Sequence, residues 1–149
     1  MMEKRSLFVE NLNCNYILNL IDLREKKGSY DVECYFKKNT ECFKTMKKLK
    51  HFVYYENGYY IVNFWIDPNI LFQKNLSILK CQLNRLADVL GTKNIIVPDF
   101  FDMELWQIIY DVFHQNDISA FFISNHSIEN NELIERKMDS RMISRLRNI

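Results

Sequence analysis

Glycine is nearly missing from this chain, and its absence excludes the commonest nucleotide-binding devices. The only three in 149 residues are Gly28, Gly58 and Gly91. A phosphate loop of the GxxxxGK type or a GxGxxG dinucleotide fingerprint needs several glycines within a few residues. Neither can be drawn here, nor is there a GxSxG turn for a nucleophilic serine. The two prolines, Pro68 and Pro98, never cluster with glycine, so nothing reads as a linker. One domain over residues 1–149 is the expectation.

Clustered metal ligands are lacking too. Cys14, Cys34, Cys42 and Cys81 are far apart, with no CxxC and no paired histidine. Structural zinc requires ligands at short spacing, so no metal and no cofactor are expected. The opening MMEKRSLFVENLN holds only residues 7–9 as an apolar run, too short for a signal-peptide core. No stretch approaches a membrane span. The expectation is a cytoplasmic protein with four reduced thiols and Cys81 buried. An excess of one charge is missing as well: 20 Lys and Arg oppose 19 Asp and Glu, a net charge of +1. Such a molecule has no global field to select nucleic acid or an anionic membrane.

What is present is a large apolar and aromatic complement. Apolar residues make up 48%, including 11 Phe, 8 Tyr and 2 Trp, enough for a core without disulfides. The N-terminal half suggests strands. Residues 16–23 (YILNLIDL) and 29–36 (SYDVECYF) flank a charged turn ending at Gly28, the pattern of a hairpin. Residues 52–55 and 59–66 flank Glu56-Asn57-Gly58, and Asn-Gly is the strongest local hairpin signal in the chain. That hairpin would set Val53, Tyr55, Tyr60, Val62 and Phe64 on alternate faces. Residues 40–50 fit either a helical stripe through Phe43 and Met46 or a loop.

From residue 67 helix and strand alternate. Asp67-Pro68 is a helix start. Phe72, Leu76, Leu79, Leu83, Leu86 and Leu90 then follow at steps of three and four, one apolar face. Gly91 is expected to end this helix in a left-handed conformation. Residues 92–97 and 118–124 are short strands, apolar on both sides. Between them Asp102 can cap a helix burying Leu105, Trp106, Ile109, Val112 and Phe113. A last helix is expected over residues 127–145. Strands apolar on both faces, separated by helices, form parallel pairs covered on both sides. The expected class is therefore α/β with a mixed, α+β character. N-terminal antiparallel β-hairpins join a C-terminal α-β-α-β-α unit, in one mixed sheet flanked by helices.

Three places could carry function. Open α/β sheets bind ligands beyond the carboxyl ends of their parallel strands, which puts Asp99 and His126 at one edge if their strands are adjacent. A carboxylate beside an imidazole is the minimum for a small hydrolase or nuclease. The plainer explanation is that Asp102, Glu104 and Ser127 serve helix N-termini. Second, Lys37, Lys38, Lys44, Lys47, Lys48 and Lys50 are interleaved with Tyr35, Phe36, Phe43 and Phe52. Lysines with stacking aromatics hold single-stranded nucleic acid, whereas solvated lysines that protect a sheet edge are the plainer reading. Third, Asp99, Phe100, Phe101, Asp102, Glu104 and Asp111 set aromatic rings among carboxylates, the anatomy of an interface hot spot. With no catalytic motif, the favoured expectation is stoichiometric binding of another protein, such as an immunity or antitoxin-type inhibitor meeting a basic toxin domain.

Overall fold

In the computed structural model, residues 14–69, 76–98 and 103–123 are described. They form five strands and four helices: β1 (Tyr16–Asp22), α1 (Tyr30–Tyr35), α2 (Lys37–Thr45), β2 (Phe52–Glu56), β3 (Tyr59–Ile66), α3 (Leu76–Val89), β4 (Asn94–Pro98), α4 (Met103–Gln115) and β5 (Ser119–Ile123). One mixed sheet results, in the order β2-β3-β1-β4-β5. β1 runs parallel to both β3 and β4, β4 runs parallel to β5, and β2 alone is antiparallel, against β3.

Alternation along the strands divides the side chains between two layers. Leu18, Leu20, Val62, Phe64, Ile66, Ile95, Val97, Ala120 and Phe122 face α3 and α4, which bring Leu79, Leu83, Leu86, Leu105, Trp106, Ile109, Val112 and Phe113. Ile17, Ile61 and Ile96 face the other way, onto Val32 of α1 and Phe36, which lies between α1 and α2. Ile21 and Trp65 meet Phe43 of α2 on that same side. The expected mixed sheet between helical layers is what the chain builds, and the five α4 residues expected to be inward are all buried.

Residues 29–36 depart from expectation. The chain does reverse after β1: Asp22 Oδ1 accepts the N–H groups of Arg24 and Glu25 at 2.8 and 3.2 Å, and Lys26 has φ 54°. One antiparallel bridge, between Asp22 and Lys27, follows. Residues 30–35 then turn into α1 instead of a second strand. Asp31 and Glu33 suit the positive end of a helix, and Val32 and Phe36, four apart, both land on the sheet. Residues 40–50 resolve into the end of α2 and a loop. Phe43 is buried and Met46 half-buried, as the stripe required.

Pro68 and Asn69 are helical and Asp67 Oδ1 accepts the N–H of Asn69 at 2.9 Å, while the leucine stripe is described from Leu76, in α3, with residues 70–75 outside the described residues. Phe72 lies outside the described residues. Gly91 is not left-handed; Gly58 is the one glycine with positive φ. α3 ends at Val89, and Leu90 closes its last turn through an N–H donated to Leu86 O at 3.1 Å, so no left-handed residue is needed. Cys81 is exposed, not buried, because it falls on the outer face of α3 between Leu79 and Leu83. All four thiols are free. Among the described residues no helix is long and apolar enough to cross a membrane.

Candidate functional site

β2 and β3 are joined by Asn57 (φ 53°) and Gly58 (φ 86°). Positive φ at both central residues marks a type I′ turn, whose twist suits a two-residue hairpin. The register pairs Glu56 with Tyr59, Tyr55 with Tyr60 and Val53 with Val62. Val53, Tyr55 and Tyr60, expected with Val62 and Phe64 on alternate faces, instead share one sheet face with them. Steps of two along each strand and direct cross-strand pairing keep all five on the same side. Further along, that face carries Val62 and Phe64 beneath α3 and α4. The two helices do not reach the hairpin: Val53 is 52%, Tyr55 59% and Tyr60 36% exposed. The Tyr60 ring stacks on Tyr16 of β1 at 4.8 Å between centroids, and on its other side meets Tyr55 at 4.7 Å. Three tyrosines from three adjacent strands thus form one row, with Val53 beside it.

The row stands on a fixed support. Glu56, at the foot of the turn, reaches across to α2, where its Oε1 and Oε2 accept the N–H groups of Asn39 (2.9 Å) and Lys38 (3.4 Å). A carboxylate there satisfies two of the free N–H groups of a helix start. Beneath α1 and α2, three fully buried asparagines join the elements. Asn63 Oδ1 accepts from Asn19 Nδ2 (2.9 Å) and Asn39 Nδ2 (3.1 Å), and Asn63 Nδ2 donates to Asn39 Oδ1 (2.7 Å). Asn19 Oδ1 in turn accepts the Ser29 N–H at 3.1 Å.

The lysine segment does not form one surface. All six lysines are exposed, but α2 carries them to opposite ends of the sheet. Lys37 and Lys38 sit at its start, beside Glu56. Lys47, Lys48 and Lys50 lie past its end, where Lys50 O accepts the Trp65 Nε1–H at 3.0 Å and Lys26 Nζ donates to Met46 O at 3.2 Å. Lys44 is held by Glu33 of α1 at 3.5 Å. Phe36 and Phe43, expected as stacking platforms, are buried against the sheet and cannot meet a base. Helical spacing turns the aromatics inward and the lysines outward.

Of the edge expected to hold chemistry, the supporting geometry is present. β4 and β5 are adjacent and parallel, with Pro98 opposite Ile123. Asp99, Phe100, Phe101, Asp102 and His126 themselves lie outside the described residues, as does the helix expected over 127–145. Glu104 belongs to the first turn of α4, and Asp111 is exposed further along it. On the β1 side of that edge, Asp22 and Asp67 have carboxylate oxygens engaged with backbone N–H groups of their own turns. Among the described residues no group of three or more His, Cys, Asp and Glu could hold a metal ion.

The tyrosine row was not among the sites expected from sequence. Its signal was there in the Asn-Gly hairpin, which fixes Val53, Tyr55 and Tyr60 to one face; only the reach of the helices decides which part of that face stays open. Comparison with known families, curated proteins and solved structures finds no match for the chain.

Proposed function

We propose that this chain works by binding another protein through the face of Val53, Tyr55, Tyr60 and Tyr16. The observation that supports it most is the row of three contacting tyrosine rings on adjacent strands, with Tyr55 and Tyr60 exposed and Tyr16 half-buried. Tyrosine supplies a large amphipathic contact with only two torsions to immobilise, which is why it is enriched in binding surfaces. A sheet held by buried amides and a capped turn keeps the rings arranged before contact, lowering the ordering cost of association. An inhibitor that occludes a toxin domain is the form of this function that the sequence favours. The acidic stretch through Asp111 would then add charge steering at a second point.

The test is capture of a stoichiometric partner by the full chain from its native host, followed by affinity measurements on Tyr55→Ala and Tyr60→Ala. Truncating an aromatic anchor costs roughly 2 kcal/mol or more of binding, about thirtyfold in affinity. Circular dichroism establishes that both variants stay folded. Partner affinity equal to wild type in both would place the contact elsewhere on the molecule.

A further inference from the structure

We infer that the segment recognised at this face is an extended strand, apolar at alternate positions and acidic at both ends, which adds to the sheet along the free edge of β2. The inference rests on the protein-binding proposal above and goes on to name the shape and chemistry of the partner.

The backbone directions follow from hydrogen bonds inside the sheet. Tyr60 donates its N–H to Asn15 O at 2.8 Å, and Ile66 O accepts from Leu23 N–H at 2.8 Å, so the even-numbered residues of β3 turn their backbone groups toward β1. Tyr59, Ile61 and Asn63 then face β2, where their register partners are Glu56, Tyr54 and Phe52. In an antiparallel pair, hydrogen-bonded and non-bonded positions alternate. Val53 and Tyr55 are the non-bonded ones, so their N–H and C=O groups point away from β3, out of the sheet. Among the described residues nothing takes those four groups. Their side chains are also the most exposed of the strand.

Sheet edges are ordinarily protected by lysine, proline or a bulge. Residues 52–55 (FVYY) contain no charge and no proline, and the β2–β3 register runs without a bulge. Glu56, the one carboxylate of the strand, is turned back onto α2. Lysines stand near both ends of this uncharged stretch: exposed Lys37 and Lys38 lie at the α2 start that Glu56 caps, and exposed Lys47, Lys48 and Lys50 precede Phe52. An incoming strand with acidic ends meets positive charge at both. A second copy of this chain, paired antiparallel along β2, would set lysines against lysines, so the charge arrangement selects against self-pairing. Main-chain bonds supply affinity and alternate side chains supply selectivity in such strand addition.

The experiment titrates the full chain with a capped peptide in which tyrosine alternates with threonine, flanked by two glutamates at each end. Three changes should each weaken binding about tenfold or more, the loss expected from one or two hydrogen bonds or a reversed charge pair. The first is N-methylation of the peptide amides on one edge, with methylation of the opposite edge as the control. The second replaces the glutamates by lysine. The third is Val53→Pro, which removes an outward N–H where an edge strand tolerates proline and leaves the β2–β3 bonds in place. Failure of the parent peptide to bind, or equal binding after methylation of either edge, overturns the inference. So does a dimer of the chain alone that Val53→Pro dissolves. A captured partner that Val53→Pro retains and Tyr60→Ala loses overturns strand addition while leaving the tyrosine face standing. A partner that both retain overturns the face as well.

Discussion

The imidazole of His51 takes the place of a backbone carbonyl for Trp65: its Nδ1 accepts the Trp65 N–H at 3.1 Å. β2 begins one residue later, so this side chain extends the ladder beyond the strand. The ring lies flat on Phe64, with centroids 4.2 Å apart and planes 5° from parallel. Only the neutral imidazole can accept this bond.

Stability should therefore depend on His51 in acid. Partial burial lowers its pKa from the ordinary 6.5. A histidine whose folded-state pKa is depressed stabilises the fold above the unfolded value, and that contribution is lost as pH falls through the folded pKa. The thermal midpoint should decline as pH drops below about 6.5. His51→Phe keeps the stacking and removes the acceptor; it should lower the midpoint at neutral pH and flatten the acid decline. An unchanged pH profile in His51→Phe would show that the histidine does not contribute.

Asn63 is the shared member of the buried amide network, and its removal strands the amides of Asn19 and Asn39. Asn63→Ala should cost roughly 2–4 kcal/mol in urea unfolding, the sum of unsatisfied polar groups and a small cavity. In a double-mutant cycle, Asn39 and Asn63 should couple by about 1–3 kcal/mol. Additivity within error would contradict their reciprocal pairing.

Two glycines should respond to alanine for different reasons, with the third as a control. A Cβ on Gly28 would overlap the side-chain amide of Asn19, so Gly28→Ala should disturb the asparagine network and destabilise most. At Gly58 space is free but φ is 86°, and the strain should cost about 1–2 kcal/mol. Gly91 has neither constraint, and its alanine variant should be neutral or gain up to about 1 kcal/mol. Equal effects at all three positions would refute these assignments.

α3 offers a contrast between faces. Leu79 and Leu83 are buried under the sheet while Lys80 is exposed. Leu79→Ala or Leu83→Ala should cost about 2–5 kcal/mol, and Lys80→Ala within about 0.5 kcal/mol of zero. Urea midpoints of the three variants decide it.

Long periodic patterns were legible from sequence because one physical cause, a single buried stripe, dominates them. The leucines of α3 and the inward residues of α4 are of this kind, and so is the Asn-Gly turn, whose backbone demand is local. Residues 29–36 misled because YDVECYF alternates like a strand while its Val32 and Phe36 also satisfy a helix. Only the sheet waiting beneath them, with Ile17, Ile61 and Ile96, decides between the two. Phe36 and Phe43 looked available beside lysines for the same reason: which side of α2 is covered is a tertiary fact. The tyrosine row depends on where α3 and α4 stop, which no residue of the hairpin encodes. Asn19, Asn39 and Asn63 give no sequence signal, being 20 and 24 residues apart.

β1, first of the five described strands, ends up in the middle of the sheet, flanked by β3 and β4. During synthesis it leaves the ribosome ahead of both strands that flank it in the sheet. Its first neighbour, β3, starts at Tyr59 and its second, β4, at Asn94. Until then Ile17, Leu18, Leu20 and Ile21 are held in a nascent chain that can form α1 and α2 but not the layer they cover. Closing such distant pairings is slow and exposes apolar strand in the interval. Shielding by a chaperone should therefore matter most over the interval in which residues 23–94 emerge, and a circular permutant that delivers β1 after β3 should depend on it less.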